Sequence, residues 1–496
     1  MLKSMATLTR PSKRPRTSPT TTSNHLPSFL RYLSTVGALV HPNVTFVHSL
    51  SWGNHVMATA PIKANTPIFR LPLRLCITSD TAKAHPTIGT LLLELQQSST
   101  LTSLDFDRAC VFVQLMYEHY LGEASPHAAY IAILPSLTEM EERIATTRIT
   151  NSIQTRTKSK CLMGTHIENS IVPKHMSLLD CIYQDVIVKV VEKSSRTHPT
   201  LAAALTYNQL VWAAGIFHSR AIMIPGENRS SHARCEALTP LIDLLNHRPG
   251  YLSELQRPPM LAESNTTTSR ALQKQDVVVY TVGRTIQANE QIFLNYGPKS
   301  NEDLLAHFGF CLDKNICDVL RIEITPSAPG TASATSTLLL SQEIVLYEGC
   351  HLGKALDVCR EVVSDGLETT ANEVVYKQEQ IKEDDDGEVA LSSSAAWFAQ
   401  MTREEEDRKN GVVWIDLSTI GTPRSKMNEN DALIFLENIL IQQEKISATA
   451  GNDVGEMDVE GVAFKADANT YKKGLNRVTT SVLSQVRALK KKWCNN

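Results

Sequence analysis

Cysteine pairs, long apolar runs and a strong net charge are all missing from this sequence. None of its ten cysteines forms a C-x-x-C pair, so neither a disulfide framework nor a zinc site is indicated, and scattered thiols fit a reducing compartment. The longest promising uncharged run, Pro199–Ser219, contains Thr, Tyr, Asn, Gln and His and is a poor membrane span. A net charge of −3 argues against general nucleic-acid binding.

Acidic residues are absent from the start of the chain, where none precedes Asp80. Residues 1–25 are rich in Ser, Thr and Pro, and we predict a disordered basic tail there. The SKRPR cluster at 12–16 can act as a nuclear address, whereas an acid-poor start also suits a transit peptide. A third interpretation, a solvated tail that carries no targeting signal, is equally consistent with this composition. The compartment is therefore predicted as cytoplasmic or nuclear, with a chloroplast or another organelle as the alternative.

Composition and length together predict a multidomain globular protein. Hydrophobic residues make up 42% and charged residues 20% of the chain, values typical of globular proteins. A length of 496 residues predicts two or three domains.

The stretch Thr239–Pro249, TPLIDLLNHRP, combines a buried run with polar residues at its end. Its leucines and isoleucine carry the chain inward before it reaches Asn246 and His247. Polar side chains at such a place are costly unless their atoms are paired. An ordinary strand or short helix ending in an Asn-turn explains this stretch equally well when it is taken alone.

A second stretch, Glu290–Phe310, reads EQIFLNYGPKSNEDLLAHFGF and predicts a strand, a turn and a helix. The order DLLNH, then roughly 50 residues, then NYG-KSN resembles the SET-domain methyltransferases, since two ordered motifs are more specific than one. The similarity is greatest to the branch of the Rubisco large-subunit lysine methyltransferase. SPHAAYIAILP at 125–135 and Thr206–Ala221 also resemble patterns of this branch.

The resemblance implies an α+β fold. The expected SET β-fold covers residues 26–326, with a helical insertion at about 80–235. Residues 327–496 are expected to form a mainly helical, substrate-binding domain. The zinc-bearing members carry a cysteine cluster beyond the catalytic strand; here Cys311 and Cys317 stand alone, so no metal is expected.

Local patterns predict individual elements. Strands are expected over 56–59 and 67–71, joined by a polar turn in what resembles the first hairpin of the family, and over 276–282 and 291–295. Helices are expected around 27–39, from Phe106 to Leu121 and after Thr206, and Asp105 or Ser103 is the expected cap of the second. Helical periodicity also predicts helices over Leu338–Leu346 and much of the C-terminal third.

The resemblance also implies the site residues and the cofactor, S-adenosylmethionine. Tyr296 matches the catalytic tyrosine, which orients the lone pair of the target nitrogen. Arg220 matches the arginine that faces the cofactor's carboxylate. The remaining cofactor-binding positions are Gly53, Asp243, Leu244, Asn246 and His247. The family has a second glycine two residues after Gly53; His55 stands there instead. Phe308 replaces a common tyrosine, which bears on the number of methyl groups added.

Methyl transfer to nitrogen is an in-line displacement that needs a neutral nitrogen, alignment and exclusion of water. The resemblance implies N-methylation of a lysine in a histone or non-histone protein. The expected partner is a protein with an exposed lysine, with no nucleic acid or membrane, and the enzyme is expected to be a monomer. Two alternatives remain: a histidine acceptor, which one member of the branch is known to use, and a non-catalytic binding module.

Overall fold

The computed structural model describes most of the chain in several separate stretches. The described residues are 21–49, 53–155, 160–226, 234–257, 276–324, 342–348, 350, 352, 355–356, 359, 426–448 and 462–494. They divide into two compact units. The sheet unit lies within Ser12–Thr157 and Val172–Tyr296, and the C-terminal unit within Lys158–Ile171 and Gly297–Asn496. Among these described stretches, none of the helices combines the length and apolar character that crossing a bilayer requires.

Short strands form the frame of the sheet unit. The strands are β1 Leu39–Val40, β2 Val44–Ser49, β3 Gly53–Ala58, β4 Thr66–Pro72, β5 Ile222–Pro225, β6 Arg234–Ala237, β7 Asn246–His247, β8 Ser253–Gln256, β9 Val277–Val282 and β10 Gln291–Leu294. One sheet has the order β1-β4-β9-β8, a second has β2-β3-β10-β7, and β5 pairs with β6. All of these pairs are antiparallel except β10 with β7, which is parallel.

The predicted first hairpin is wrong, although both of its strands exist. β3 pairs with β2 and β10, whereas β4 pairs with β1 and β9 in the other sheet. The connection between them bends at Asn65, whose φ is 59°. Its centre, Ile62, is buried and forms a bridge to Ile286 in the matching connection between β9 and β10. Both connections bury an apolar residue, and both carry the chain across to the other sheet instead of reversing it within one.

Helices fill the sequence between β4 and β5. The helices of the sheet unit are α1 Thr21–Thr35, α2 Ser79–Lys83, α3 Gly89–Gln96, α4 Ser103–Leu121, α5 Ala128–Ile131, α6 Leu137–Glu141, α7 Ala145–Thr155, α8 Val172–Ile182, α9 Val188–Ser194, α10 Leu201–Ala204 and α11 Tyr207–Arg220. Short 3-10 turns at Leu73–Leu75, Gly122–Ala124 and Ile242–Leu244, and a π-turn at Tyr183–Ile187, connect or extend them.

Helix α1 begins earlier than the sequence predicted. It starts at Thr21, inside the predicted disordered tail, and ends at Thr35. Leu26, Phe29 and Leu33 are buried on one face, and this apolar stripe stabilises the helix. The prediction of disorder is therefore wrong for 21–25, and residues 1–20, with the SKRPR cluster, lie outside the described residues.

The two predicted long helices are present, with one change of cap. Thr102, not Asp105 or Ser103, caps α4, because its hydroxyl oxygen accepts the Asp105 N–H at 3.2 Å. Helix α11 starts after Thr206 as predicted, with the hydroxyl oxygen of Thr206 accepting the Gln209 N–H. Helix α4 is buried on more than its predicted face, since every residue from 109 to 116 is buried. It is thus a core helix.

The described residues of the C-terminal unit include two strands and three helices with given bounds. They are β11 Val319–Ile324, β12 Gln342–Tyr347, α12 Asn301–Asp303, α13 Lys426–Ala448 and α14 Val462–Cys494, with helical turns at Lys160–Leu162, Ile167–Ile171 and Leu304–Phe308. β12 pairs antiparallel with β11, so the helix predicted over Leu338–Leu346 is wrong for 342–346. A short apolar run does not separate strand from helix by period. Most of 352–363, and the acidic stretches 379–388 and 452–460, lie outside the described residues.

A buried carboxylate connects three parts of the C-terminal unit. Only 1% of the Glu302 side chain is exposed. One of its oxygens accepts the Tyr471 hydroxyl at 3.0 Å and lies 3.1 Å from His166 Nδ1, and the other accepts from Arg321 Nε at 3.0 Å. Residues just after the NYG motif are therefore fastened to α14 near the end of the chain. The boundary between the compact units falls after Tyr296.

Candidate active site

The two sequence motifs lie side by side in the sheet unit. β10, which ends just before Tyr296, runs parallel to β7, with Phe293 opposite Asn246 and Leu294 opposite His247. β3, which starts at Gly53, pairs with β10 on its other side. The ends of these strands therefore gather the predicted catalytic residue and the predicted cofactor-binding residues at one place.

The turn that leads into β7 is held in a strained conformation. Leu241 is buried and has a φ of 85°, in the region that favours glycine. Such a residue costs on the order of 1–3 kcal/mol and persists only where its surroundings fix it. The 3-10 turn Ile242–Leu244 follows directly, with Ile242 and Leu244 buried. This strained turn thus determines where the backbone of the next residues lies, Asp243 among them.

Tyr296 is fixed at its backbone, its ring and its hydroxyl. Its hydroxyl donates to the carbonyl oxygen of Leu245 at 2.7 Å, and its N–H donates to Nδ1 of His247 at 3.1 Å. The two rings stack with centroids 4.8 Å apart at 24°. Because Nδ1 of His247 accepts, the neutral imidazole carries its proton on Nε2. Few degrees of freedom remain for the phenol.

The same contacts determine what the phenol can do. Burial raises the pKa of Tyr296, and this outweighs the lowering effect of the nearby Arg220. The hydroxyl is therefore protonated near neutral pH and is not a general base. The hydroxyl hydrogen points to the carbonyl oxygen of Leu245. Toward another molecule, the phenol oxygen therefore acts as a hydrogen-bond acceptor through its lone pairs.

Asp243 is a buried carboxylate with two partners. Its Oδ2 accepts the Tyr130 hydroxyl at 2.7 Å and lies 3.4 Å from Nη1 of Arg220, which is also 3.5 Å from the Asp243 carbonyl oxygen. Burial raises the pKa of Asp243, while Arg220 and the Tyr130 hydroxyl lower it. Its Oδ1 is buried and has no hydrogen-bond partner among the described residues.

Arg220, the last residue of α11, presents a cation beside this carboxylate. Its side chain is 21% exposed, whereas that of Asp243 is 0% exposed. Both contacts to Asp243 are long and come from the same nitrogen, Nη1. The fork of the guanidinium can therefore still meet a carboxylate from outside. Its position also complements the helix dipole, the structural alternative for this arginine.

The remaining predicted residues lie around this centre. Gly53 has a φ of 63°, which a residue without a side chain adopts readily. The His55 ring is buried, and its Nδ1 lies 3.0 Å from the Gly53 carbonyl oxygen, so the imidazole rests on its own strand. Leu244 is buried, while Asn246 is half-buried. Leu244 can therefore contribute mainly through its backbone.

Two participants were missed by reasoning from the sequence. Tyr130 lies in the SPHAAYIAILP stretch at 125–135, which drew attention only as a pattern. Leu245 acts through its carbonyl oxygen, and a backbone group leaves no signature in the residue type. In the described part of the chain, no three His, Cys, Asp or Glu side chains are grouped so that they could hold a metal ion.

Comparison with known proteins identifies the domain. The family pattern of the SET domain matches residues 53–297. A ribosomal lysine N-methyltransferase of Schizosaccharomyces pombe is 33% identical over 136 residues, which are 27% of this chain and 22% of that protein. The actin-histidine N-methyltransferase of Mus musculus is 25% identical over 316 residues, 61% of this chain and 45% of that protein. The matches thus span less than half the length of these two relatives.

Solved structures match over nearly the whole chain at low identity. Rubisco LSMT bound to sinefungin and monomethyllysine gives a TM-score of 0.57 at 14% identity, covering 95% of this chain and 93% of that one. The SET domain of LSMT bound to lysine and AdoHcy gives 0.55 at 16% identity, covering 95% and 92%. The predicted α+β SET fold is confirmed. Residues 53–297 match the SET domain, and the chain has the fold of the Rubisco LSMT structures.

Proposed function

We propose that this protein is an S-adenosylmethionine-dependent protein N-methyltransferase that acts on lysine. The observation that carries the proposal is the state of Tyr296. Its phenol is buried and protonated, its hydrogen is committed to the Leu245 carbonyl oxygen, and its strand lies beside Asn246 and His247. A phenol oxygen so prepared can hold an amine in a fixed orientation.

The residues present fit the amino-acid end of the cofactor. That end carries one carboxylate and one ammonium group. Arg220 offers a partly exposed guanidinium, and Asp243 Oδ1 is a buried acceptor without a partner among the described residues, so the two charges are complementary. Structures of the same fold contain AdoHcy or AdoMet. Gly53, without a side chain, allows close approach of the backbone.

When bound, the cofactor supplies an electrophilic methyl group on a sulfonium. The chain must then present a nitrogen lone pair in line with that group. The Tyr296 oxygen can accept one N–H of a neutral amine, which turns the lone pair away from the tyrosine. Because Tyr296 stays protonated, the proton of the lysine ammonium must leave before transfer, favoured by burial and by the nearby sulfonium. His247 holds the tyrosine in place through the stacked ring and Nδ1.

The proposal also specifies lysine as the side chain that receives the methyl group. A lysine has a thin aliphatic stem, whereas an imidazole is wider and needs a partner that fixes the tautomer of its second nitrogen. The relatives include a ribosomal lysine N-methyltransferase and actin-histidine N-methyltransferases, so a histidine acceptor is the second candidate. Phe308 bears on the number of methyl groups, as inferred from the family pattern.

We assign recognition of the protein substrate to residues 327–496. This assignment rests on their helical pattern and on the location of the matched motifs before them. The contacts of Tyr471 with Glu302 mean that a truncation near residue 326 would leave a buried carboxylate without its tyrosine. Point variants on the exposed face of α13 or α14 are therefore a better way to test recognition. A monomer and a nuclear, cytoplasmic or organellar location are part of the same proposal.

Incubation of the full chain with labelled S-adenosylmethionine and an undermethylated lysate tests the activity and the acceptor together. The labelled protein is hydrolysed to amino acids and separated. We expect the label in mono-, di- or trimethyllysine, because a neutral amine fits beside the Tyr296 oxygen. Label only in methylhistidine would favour the second candidate. No label from any lysate, with the cofactor bound, would favour a non-catalytic binding module.

A further inference from the structure

Tyr130 is a buried side chain that the transfer step itself does not use. Only about 1% of the residue is exposed. Its hydroxyl donates to Asp243 Oδ2 at 2.7 Å, which is the shortest of the contacts described between Asp243 and its two side-chain partners. Asp243 in turn holds Nη1 of Arg220. Tyr130 is thus one residue removed from the cation that faces the predicted cofactor site.

We propose that Tyr130 is a positioning residue, which fixes Asp243 and through it aims the Arg220 guanidinium at the amino-acid tail of the cofactor. The inference rests on the proposed function of the site. It adds a residue from the 125–135 stretch, more than a hundred positions before the DLLNH motif, to the machinery that selects the cofactor.

The segment that carries Tyr130 is itself anchored. Ser125 donates its hydroxyl to the buried Glu118 of α4 at 2.5 Å, and the hydroxyl oxygen of Ser125 accepts the His127 N–H at 2.9 Å. The carbonyl of His127 accepts the Tyr130 N–H at 2.9 Å. Because these groups are buried and hydrogen-bonded, the start of α5 cannot shift without breaking a paired network. The tyrosine is therefore presented from a rigid base.

The hydroxyl also bears on the charge of Asp243. The titratable groups that face this carboxylate are Arg220, Tyr130, Tyr296 and Cys76. Burial raises the pKa of both tyrosines and of the cysteine, so these groups are neutral, and Arg220 is the cation of the set. Removing the Tyr130 hydroxyl raises the pKa of Asp243 further. A protonated Asp243 would attract Nη1 of Arg220 less.

The test is Tyr130→Phe in the full chain, with two ligands. S-adenosylhomocysteine carries the amino-acid tail, and 5′-methylthioadenosine shares the nucleoside but lacks the tail. We expect the dissociation constant for S-adenosylhomocysteine to rise about tenfold, as for the loss of a hydrogen bond to a charged group, while that for methylthioadenosine stays within about twofold. The deficit should grow as the pH is lowered, because the pKa of Asp243 is higher in the variant and the carboxylate is therefore protonated before that of the wild type.

The matched control is Tyr207→Phe. Tyr207 also donates its hydroxyl to an aspartate, Asp180, at 2.8 Å, but from the opposite end of α11, roughly 20 Å along the helix from Arg220. The Tyr207→Phe variant removes the same kind of hydrogen bond and should leave the affinities for S-adenosylhomocysteine and methylthioadenosine unchanged. Asp243→Asn is the second variant: it should show the same tail-selective loss without the pH dependence, because an amide does not titrate.

The outcomes separate the two proposals. If wild type binds neither ligand, the proposed function fails. If wild type binds S-adenosylhomocysteine and Tyr130→Phe binds it equally well, the positioning role is overturned. Equal weakening of both ligands would also overturn it, because that result indicates a general structural role. Selective weakening with the stated pH trend supports it.

Discussion

Replacing Tyr296 with phenylalanine is expected to lower the rate of methyl transfer by about a hundredfold or more, the usual effect of losing one preorganised polar group. The phenyl ring keeps the stacking on His247, and the backbone N–H still meets Nδ1. Only the oxygen that holds the amine is lost. Single-turnover rates with labelled S-adenosylmethionine, together with the dissociation constant of S-adenosylhomocysteine, separate chemistry from binding. The dissociation constant should change little.

The control for this variant is Tyr280→Phe. Tyr280 lies in β9 and also donates its hydroxyl to a backbone carbonyl, that of Phe293. The Tyr280→Phe variant therefore removes a comparable buried hydrogen bond, worth about 1 kcal/mol of stability, and leaves the proposed reacting atoms unchanged. Turnover of Tyr280→Phe should follow its stability alone. Near-normal turnover of Tyr296→Phe would place the chemistry at another residue.

Replacing Arg220 with leucine is expected to have the second large effect, on both stability and cofactor binding. Asp243, whose side chain is fully buried, would keep only the Tyr130 hydroxyl as a side-chain partner among the residues that the structure describes. Breaking a buried ion pair from one side costs about 3 kcal/mol in the free energy of unfolding. The affinity for S-adenosylhomocysteine should fall about a hundredfold, as for one desolvated charge pair.

The pH dependence of that destabilisation has a definite sign. Without Arg220 the pKa of Asp243 in the folded state rises further above its value in the unfolded chain. The folded state then holds a proton that the unfolded state releases, so the variant loses stability as pH rises and recovers part of it as pH falls. Urea unfolding at pH 8 and pH 5.5 measures this. The deficit relative to wild type should be smaller at pH 5.5.

Arg108→Leu serves as the matched control for Arg220→Leu. Arg108 of α4 makes a bidentate pair with Glu236, at 2.7 and 2.9 Å, and both side chains are partly exposed. Its loss should cost about 1 kcal/mol or less and leave the affinity for S-adenosylhomocysteine unchanged. If Arg220→Leu were as stable as Arg108→Leu and bound the ligand as wild type does, Arg220 would have no part in the site.

The sequence pointed to the two motifs of the candidate site but did not predict how the strands connect. DLLNH and NYG carry side chains whose types are specific, and their order resembles a family. The structure brings the two motifs side by side through the parallel pairing of β7 and β10, while the roles of Asn246, His247 and Tyr296 stay predictions. Strand pairing depends on residues far apart in sequence. Nothing local in the segment between β3 and β4 distinguishes a turn within one sheet from a crossing between two.

The contacts that give the site its chemistry were the least predictable from sequence. The Tyr296 hydroxyl meets a backbone carbonyl, which every residue has, and Tyr130 meets Asp243 across more than a hundred positions. A hydrophobic pattern indicates which face of a helix or strand is buried. It does not indicate which polar atoms form hydrogen bonds with each other. The same limit explains β12, because a run of six residues satisfies a strand and a helix equally well.

A crystal structure of the full chain with S-adenosylhomocysteine tests the central claim most directly. The charges of Arg220 and Asp243 and the orientation of the Tyr296 hydroxyl predict one pose. The carboxylate of the ligand should meet the Arg220 guanidinium, its ammonium should lie toward Asp243 Oδ1, and its sulfur should face the Tyr296 oxygen. A ligand bound with its amino-acid tail away from Arg220, or with its sulfur out of reach of Tyr296, would contradict the account.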